Sequence, residues 1–100
     1  MTTDSRTVRP ALPRRATISN DVLFQEVEGQ AVLLDLGREY YFSLDDVGTR
    51  IWSLLVEQAE VSTVVERMCE LYDVDEAALR LDLALFLARL ASAGLVHTDA

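Results

Sequence analysis

The sequence has 100 residues, half of them hydrophobic, and a formal net charge of −8. A chain of this length forms one domain with a modest core. Its single cysteine, Cys69, excludes an internal disulfide and a cysteine-rich zinc site. No apolar run approaches the roughly 20 residues of a membrane helix, and the N-terminus lacks the apolar core of a signal peptide. These features predict a cytoplasmic protein with no membrane partner.

Charge is divided unequally between the N-terminus and the rest of the chain. Residues 1–17 carry four arginines and one aspartate, whereas residues 18–100 carry five arginines and sixteen acidic residues. Short termini that contain proline and arginine are usually unordered, so we predict a flexible basic arm over 1–17 and a folded domain over 18–100. The acidic domain repels phosphate backbones, and no nucleic-acid partner is expected.

Three strands are predicted where hydrophobic residues alternate with a period of two. They cover residues 21–28, 30–36 and 39–44, and their short connections predict an antiparallel meander. Gly37 is expected to supply a positive φ angle in the second connection. Tyr40, Phe42 and Leu44 share one face of the third strand.

Three helices follow, where the hydrophobic period changes to about 3.6. Asp45 and Asp75 are predicted N-caps of the first and third helices, Thr63 and Glu66 fit a capping box for the second, and Gly94 ends the third. The predicted core positions are Val47, Ile51, Leu54, Leu55, Val64, Met68, Leu71, Leu79, Leu83, Phe86, Leu87 and Leu90. The order βββααα predicts an α+β fold of the winged helix-turn-helix type, with Leu95 and Val96 folding back as an apolar tail.

The residues that could perform catalysis are few. His97 is the only histidine and has no cysteine partner at metal or dyad spacing, and Cys69 has the setting of a small core residue. The sequence contains no phosphate loop, GxSxG or HExxH motif. An acyl carrier protein would need a serine at a helix start, but Ser43 lies at a strand end. We therefore predict neither an enzyme nor a bound cofactor or metal.

The third strand is the feature that favours a binding function. It forms one edge of the predicted meander, and an exposed edge pairs readily with another extended chain. The opposing interpretation is core packing for Tyr40 and Phe42, and for Tyr41 an exposed aromatic ring supported by Phe24 and Leu33. The predicted peptide-binding residues are Glu39, Tyr40, Tyr41, Phe42 and Ser43 on the third strand and Leu79, Asp82, Leu83 and Phe86 on the last helix.

Two segments resemble the PqqD-like family, AVLLDLGREYYFSLDDVGTRIWSLL and VSTVVERMCELYDVDEAALRLDLALFLARLASAGLV. The closing motif of the family matches Asp82, Leu83, Phe86, Leu87, Leu90, Gly94, Leu95 and Val96. Asp45 departs from the asparagine of many relatives, but both residues cap helices. The resemblance implies a recognition element that binds the leader segment of a ribosomally made precursor peptide as an added strand beside the last helix. The free-standing form is similar to leader-binding partners in lasso-peptide biosynthesis, which implies a leader peptidase and a cyclase as further partners.

Two other functions stay open at this stage. One is a chaperone for the pyrroloquinoline quinone precursor, which shares the same family skeleton. The other is a winged-helix DNA-binding regulator, although neither the second nor the third predicted helix has the basic surface that DNA recognition needs. The sequence also leaves open the oligomeric state and the leader motif.

Overall fold

The computed structural model describes residues 12–28 and 30–99, and this part of the chain folds into five strands and three helices. The elements are β1 (Ala16–Ile18), β2 (Val22–Val27), β3 (Gln30–Asp35), β4 (Tyr40–Leu44), α1 (Asp46–Glu57), α2 (Val61–Leu71), α3 (Glu76–Ser92) and β5 (Val96–Thr98). Strands β2, β3 and β4 form the antiparallel meander, and the three helices follow it. The predicted α+β fold and the order βββααα are therefore confirmed.

The sheet packs on the helices through one face only. Ala31, Leu33 and Asp35 of β3 are buried, whereas Val32 and Leu34 between them are partly exposed. Cross-strand partners share a face of a sheet, so the β4 residues opposite the buried positions also face the helices. These residues are Leu44, Phe42 and Tyr40.

The connection between β3 and β4 differs from the predicted two-residue hairpin. It has four residues, 36–39, and its left-handed residue is Glu39, with a φ of 56°, while Gly37 has no positive φ. Asp35 stabilises the turn, because its Oδ1 accepts the backbone N–H groups of Gly37 and Arg38 at 3.1 and 3.2 Å. The prediction for Gly37 was wrong because the longer turn places its left-handed position directly before β4.

Two of the three predicted helix N-termini are confirmed. Asp45 Oδ1 accepts the N–H of Gly48 at 2.7 Å, and Asp75 Oδ2 accepts the N–H of Ala78 at 3.0 Å. The capping box predicted at Thr63 is wrong, since α2 already begins at Val61 without a side-chain cap. The N–H of Val61 instead donates to the distant carbonyl of Arg14, at 2.9 Å, which satisfies one of the exposed donors of this helix end.

Gly94 ends α3 as predicted. Its φ is 78°, its N–H donates to Ala91 O at 3.0 Å, and the N–H of Leu95 donates to Leu90 O at 2.9 Å. This pair of hydrogen bonds is a Schellman motif, in which a left-handed residue reverses the chain after a helix. The reversal directs Leu95 and Val96 into the core, where both are buried, as the sequence predicts.

The hydrophobic core lies between the inner face of the sheet and the helices. Most of the predicted core positions are buried, but Val47 and Leu71 are 45% and 48% exposed and were predicted wrongly. Both lie in terminal turns, where a helix has fewer neighbours. The buried side chains that the prediction missed on the first two helices are Trp52, Val61 and Val65.

The N-terminal boundary of the fold precedes residue 18. Ala16 is fully buried, and β1 pairs with β5 so that Ala16 lies opposite Thr98 and Ile18 opposite Val96. The described end of the predicted arm, residues 12–17, thus includes part of a strand. Residues 1–11 lie outside the described residues, and a flexible arm there stays a prediction. Among the described helices, none has the length and apolar character needed to cross a bilayer.

Candidate functional site

The backbone of β4 has a free edge whose orientation follows from one hydrogen bond. The N–H of Leu36 donates to Asp21 O at 3.0 Å, just beyond the first pair of the β2–β3 ladder. Backbone groups along an antiparallel strand point alternately to either side. The backbone N–H and C=O groups of Leu36 point towards β2. Those of Asp35 therefore point the other way, towards β4, and so do those of Leu33 and Ala31.

The same alternation then applies to β4. Tyr40, Phe42 and Leu44 lie opposite Asp35, Leu33 and Ala31, and their backbone groups pair with β3. The N–H and C=O groups of Tyr41 and Ser43 consequently point away from the sheet. Within the described residues no further strand pairs with β4. These two residues therefore present a row of backbone donors and acceptors to solvent.

A groove of about 1210 Å³ lies beside this edge. Its walls come from the start of β3, the second half of β4, the start of α1, the end of α2 and one face of α3 that extends to Arg89. The predicted residues that line it are Phe42, Ser43, Leu79, Asp82, Leu83 and Phe86. The lining is mixed, with apolar and aromatic side chains along the wall and carboxylates at the rim.

Gly48 allows α1 to lie close to the aromatic wall of the groove. A Cβ atom at this position would lie 3.4 Å from Phe86 Cε1, 3.4 Å from Leu44 Cδ2 and 3.1 Å from Asp45 Oδ1. Gly48 is buried, so a larger side chain there would have to displace these neighbours. The absence of a side chain at Gly48 thus lets α1 approach Leu44 and Phe86 closely.

Strand β4 and helix α3 run in opposite directions along the groove. The Arg89 guanidinium lies over the Phe42 ring, 5.2 Å from its centroid, a distance at which a cation and a ring attract each other. Further towards the β3–β4 turn, Arg38 packs against Gly94, where an added Cβ would overlap its guanidinium. The C-terminal end of α3 therefore lies at the start of β4.

Comparisons with known proteins show the family to which the chain belongs. The family model described as "Coenzyme PQQ synthesis protein D (PqqD)" matches residues 30–96, which include β3, β4 and all three helices. The chain belongs to the PqqD family. The family prediction made from the two sequence segments is therefore confirmed.

Two solved structures are similar to this PqqD-family chain. One is described as "TbiB1 in Complex with the TbiA(beta) Leader Peptide"; it is 39% identical, with a TM-score of 0.78 over 84% of this chain and 98% of its own. The other, "Lasso peptide synthetase B1 complexed with the leader peptide", is 19% identical, with a TM-score of 0.75 over 83% of this chain and 98% of its own, and it shows the fold alone. The search of curated proteins gave no match.

Three predicted site residues lie outside the groove. Glu39 belongs to the turn, and Tyr40 is 43% exposed on the inner face near the end of the sheet. Tyr41 is 66% exposed on the outer face, where its cross-strand neighbour is Leu34. The predicted contact of Tyr41 with Phe24 and Leu33 is wrong. Phe24 and Leu33 are cross-strand partners on the inner face of the sheet, whereas Tyr41 lies on the outer face.

The remaining site predictions have different settings within the groove. Leu83 is fully buried and Leu79 nearly so, which makes both part of the core that supports the groove. Asp82 is exposed and Phe86 partly buried, so both have surface that faces the opening. Which of these side chains touch a ligand stays a prediction.

The sequence reasoning missed several groove residues. They are Val47, Tyr72, Val74, Ala78 and Arg89. Arg89 could have been found, because it follows Asp82 by seven residues and Phe86 by three, the spacing of one helix face. Tyr72 and Val74 lie in the connection between α2 and α3, for which the alternation of hydrophobic residues gives no signal.

No metal site emerges from the part of the chain that the structure describes. No group of three or more His, Cys, Asp or Glu side chains there has a geometry that could hold an ion. His97 is exposed, and its Nε2 lies 3.3 Å from Ser19 Oγ. Cys69 is a free, half-buried thiol packed against the core.

Proposed function

We propose that this protein binds the leader segment of a ribosomally made precursor peptide as an added strand on β4. The observation that carries the proposal is the free backbone edge of Tyr41 and Ser43 directly beside an apolar groove. The PqqD-family relative at 39% identity, described as a complex with the TbiA(beta) leader peptide, supports it. The match to that relative covers 84% of this chain and 98% of the relative.

In strand addition, backbone hydrogen bonds provide affinity and side-chain contacts provide selectivity. The N–H and C=O groups of Tyr41 and Ser43 offer four hydrogen-bonding positions, each worth about 1 kcal/mol net in a typical protein. This part of the interaction accepts any extended peptide. Every second side chain of the bound strand enters the groove, where contacts with Phe42 and Phe86 select among peptides.

In this proposal the protein presents the peptide rather than changing it. The leader is held on β4 while the remainder of the precursor stays free for a leader peptidase and a cyclase. The relative at 39% identity is described as a complex with a leader peptide, which favours this setting over a chaperone for the quinone-cofactor precursor, the role that the name of the family model suggests.

A DNA-binding function is less well supported by the surface charges. Arg67 Nε lies 3.6 Å from Glu70 on α2, and Arg80 Nε lies 2.9 Å from Glu76 on α3. Each arginine thus has an acidic neighbour on its own helix. A helix that entered a DNA groove would bring these carboxylates towards the phosphates, which opposes binding.

Fluorescence anisotropy with a labelled leader tests the proposal. The probe is the leader of the precursor encoded in the same gene cluster, with the TbiA(beta) leader as a second probe. A scrambled leader and a DNA duplex serve as controls. We expect saturable binding of a leader in the micromolar range or tighter, and no binding of the scrambled peptide. Binding of the duplex with no binding of either leader would contradict the proposal.

A further inference from the structure

The groove beside β4 is acidic at one end. Four aspartates line it, at positions 45, 46, 75 and 82. Asp45 and Asp75 already accept backbone N–H groups as helix caps. Asp46 and Asp82 are exposed and form no ion pair with another described residue. Two carboxylates at this end are therefore available to a ligand.

The other end of the groove carries a positive charge. Arg89 lies on the same face of α3 as Asp82, seven residues later, which corresponds to about 10 Å along the helix axis. Its guanidinium is positioned over the Phe42 ring and has no carboxylate partner among the described residues. Arg38, near the same end, is by contrast paired with Asp35 at 3.5 Å.

The direction of an added strand determines which part of it meets each charge. Antiparallel pairing is slightly more stable than parallel pairing and continues the pattern of this sheet. An antiparallel peptide has its N-terminal part beside Leu44, near Asp46 and Asp82. Its C-terminal part runs past Phe42, near Arg89, towards Tyr40.

Building on the proposed function, we propose that the groove selects a leader segment in which a basic side chain precedes an acidic one by two or four residues. Side chains that enter the groove are spaced by even numbers of residues. At about 3.3 Å per residue, a spacing of two spans about 7 Å and a spacing of four about 13 Å. These two spacings bracket the separation of about 10 Å between Asp82 and Arg89 along α3, so either one lets a bound strand meet both charges.

A randomised peptide library tests this selection without knowledge of the leader. Displayed 12-residue peptides are sorted against the wild-type protein and against the double variant Asp82→Arg/Arg89→Glu, which keeps the net charge unchanged. The matched control Glu76→Arg/Arg80→Glu reverses an exposed ion pair of α3 outside the groove. We expect basic-before-acidic peptides from the wild type and the control, and acidic-before-basic peptides from the groove variant.

Synthetic peptides that differ only in charge order then give the size of the effect. We expect about tenfold tighter binding of the preferred order, and a smaller ratio at high salt because ions screen exposed charges. The same charge order from both the wild type and the groove variant, or no charge bias, would overturn this inference. If the leader also fails to bind the wild type, the result contradicts both the proposed function and the selection by charge order. Normal leader binding without a charge bias contradicts only the selection by charge order.

Discussion

Proline substitution in β4 separates the peptide-binding edge from the strand pairing that maintains the fold. Tyr41→Pro removes an N–H that points to solvent, whereas Phe42→Pro removes one that bonds β3. For a bound leader, Tyr41→Pro deletes one hydrogen bond and leaves a peptide carbonyl without a partner. Together these losses cost about 2 to 4 kcal/mol, a decrease in affinity of roughly 30-fold to 1000-fold.

The opposite edge of the same sheet provides a matched control. Along β2, the ladder phase that follows from the Leu36–Asp21 hydrogen bond directs the N–H of Glu26 away from β3. Glu26→Pro thus makes the same chemical change at an exposed edge position whose side chain does not line the groove. We expect it to bind the leader within about twofold of the wild type, and Phe42→Pro to lower the stability of the fold.

Anisotropy titration with the labelled leader measures binding, and circular dichroism with urea denaturation measures folding. The expected pattern is a folded Tyr41→Pro protein with strongly weakened binding, beside a Glu26→Pro protein with normal binding. A folded Tyr41→Pro protein with wild-type affinity would refute strand addition at β4. Equal losses from both substitutions would point to a general effect of proline on the sheet.

Three further predictions concern the turn, the groove and the end of α3. Glu39→Gly should raise the free energy of unfolding by about 1 kcal/mol, measured in urea, because glycine adopts the observed φ of 56° without steric cost. Ala78→Trp should fill the groove and weaken leader binding at least tenfold by anisotropy, whereas Ala77→Trp, on the same helix but not in the groove, should leave affinity unchanged. Gly94→Ala should lower the melting temperature, since its φ is 78° and the added methyl would overlap Arg38. Adding Arg38→Ala to this variant should restore only the part of the loss in melting temperature that is due to the overlap.

Local signals in the sequence predicted much of this fold. The caps at Asp45 and Asp75 and the helix end at Gly94 each depend on a few neighbouring residues, so their chemistry is visible in the sequence. The pairing of β1 with β5 is different, because it joins Ala16 to Thr98 and no periodicity relates them. The start of α2 also depends on a residue that is distant in the sequence, since the carbonyl that accepts the N–H of Val61 belongs to Arg14.

The side chains that line the groove were predictable in part, whereas the direction of the backbone groups of β4 was not. A period of two places Phe42 on the helix-facing side of its strand, and the structure agrees. The same period allows two phases for the hydrogen bonds of β4, and nothing in the strand itself chooses between them. The choice comes from the pairing of β2 with β3, for which the Leu36–Asp21 hydrogen bond is the decisive contact.

Contacts between β4 and α3 fix the position of the groove relative to the free edge before a peptide binds. Asp35 fixes the turn that leads into β4, and Arg38 of this turn packs against Gly94 at the end of α3. Arg89 lies over Phe42 in the middle of the strand. These contacts join β4 to α3 at successive points, so little ordering of the site should remain for binding to bring about. A preformed site loses less conformational entropy when a peptide binds. The conformational cost of binding then falls mainly on the leader, which must become extended, and leaders that already favour extended backbone should bind this protein most tightly.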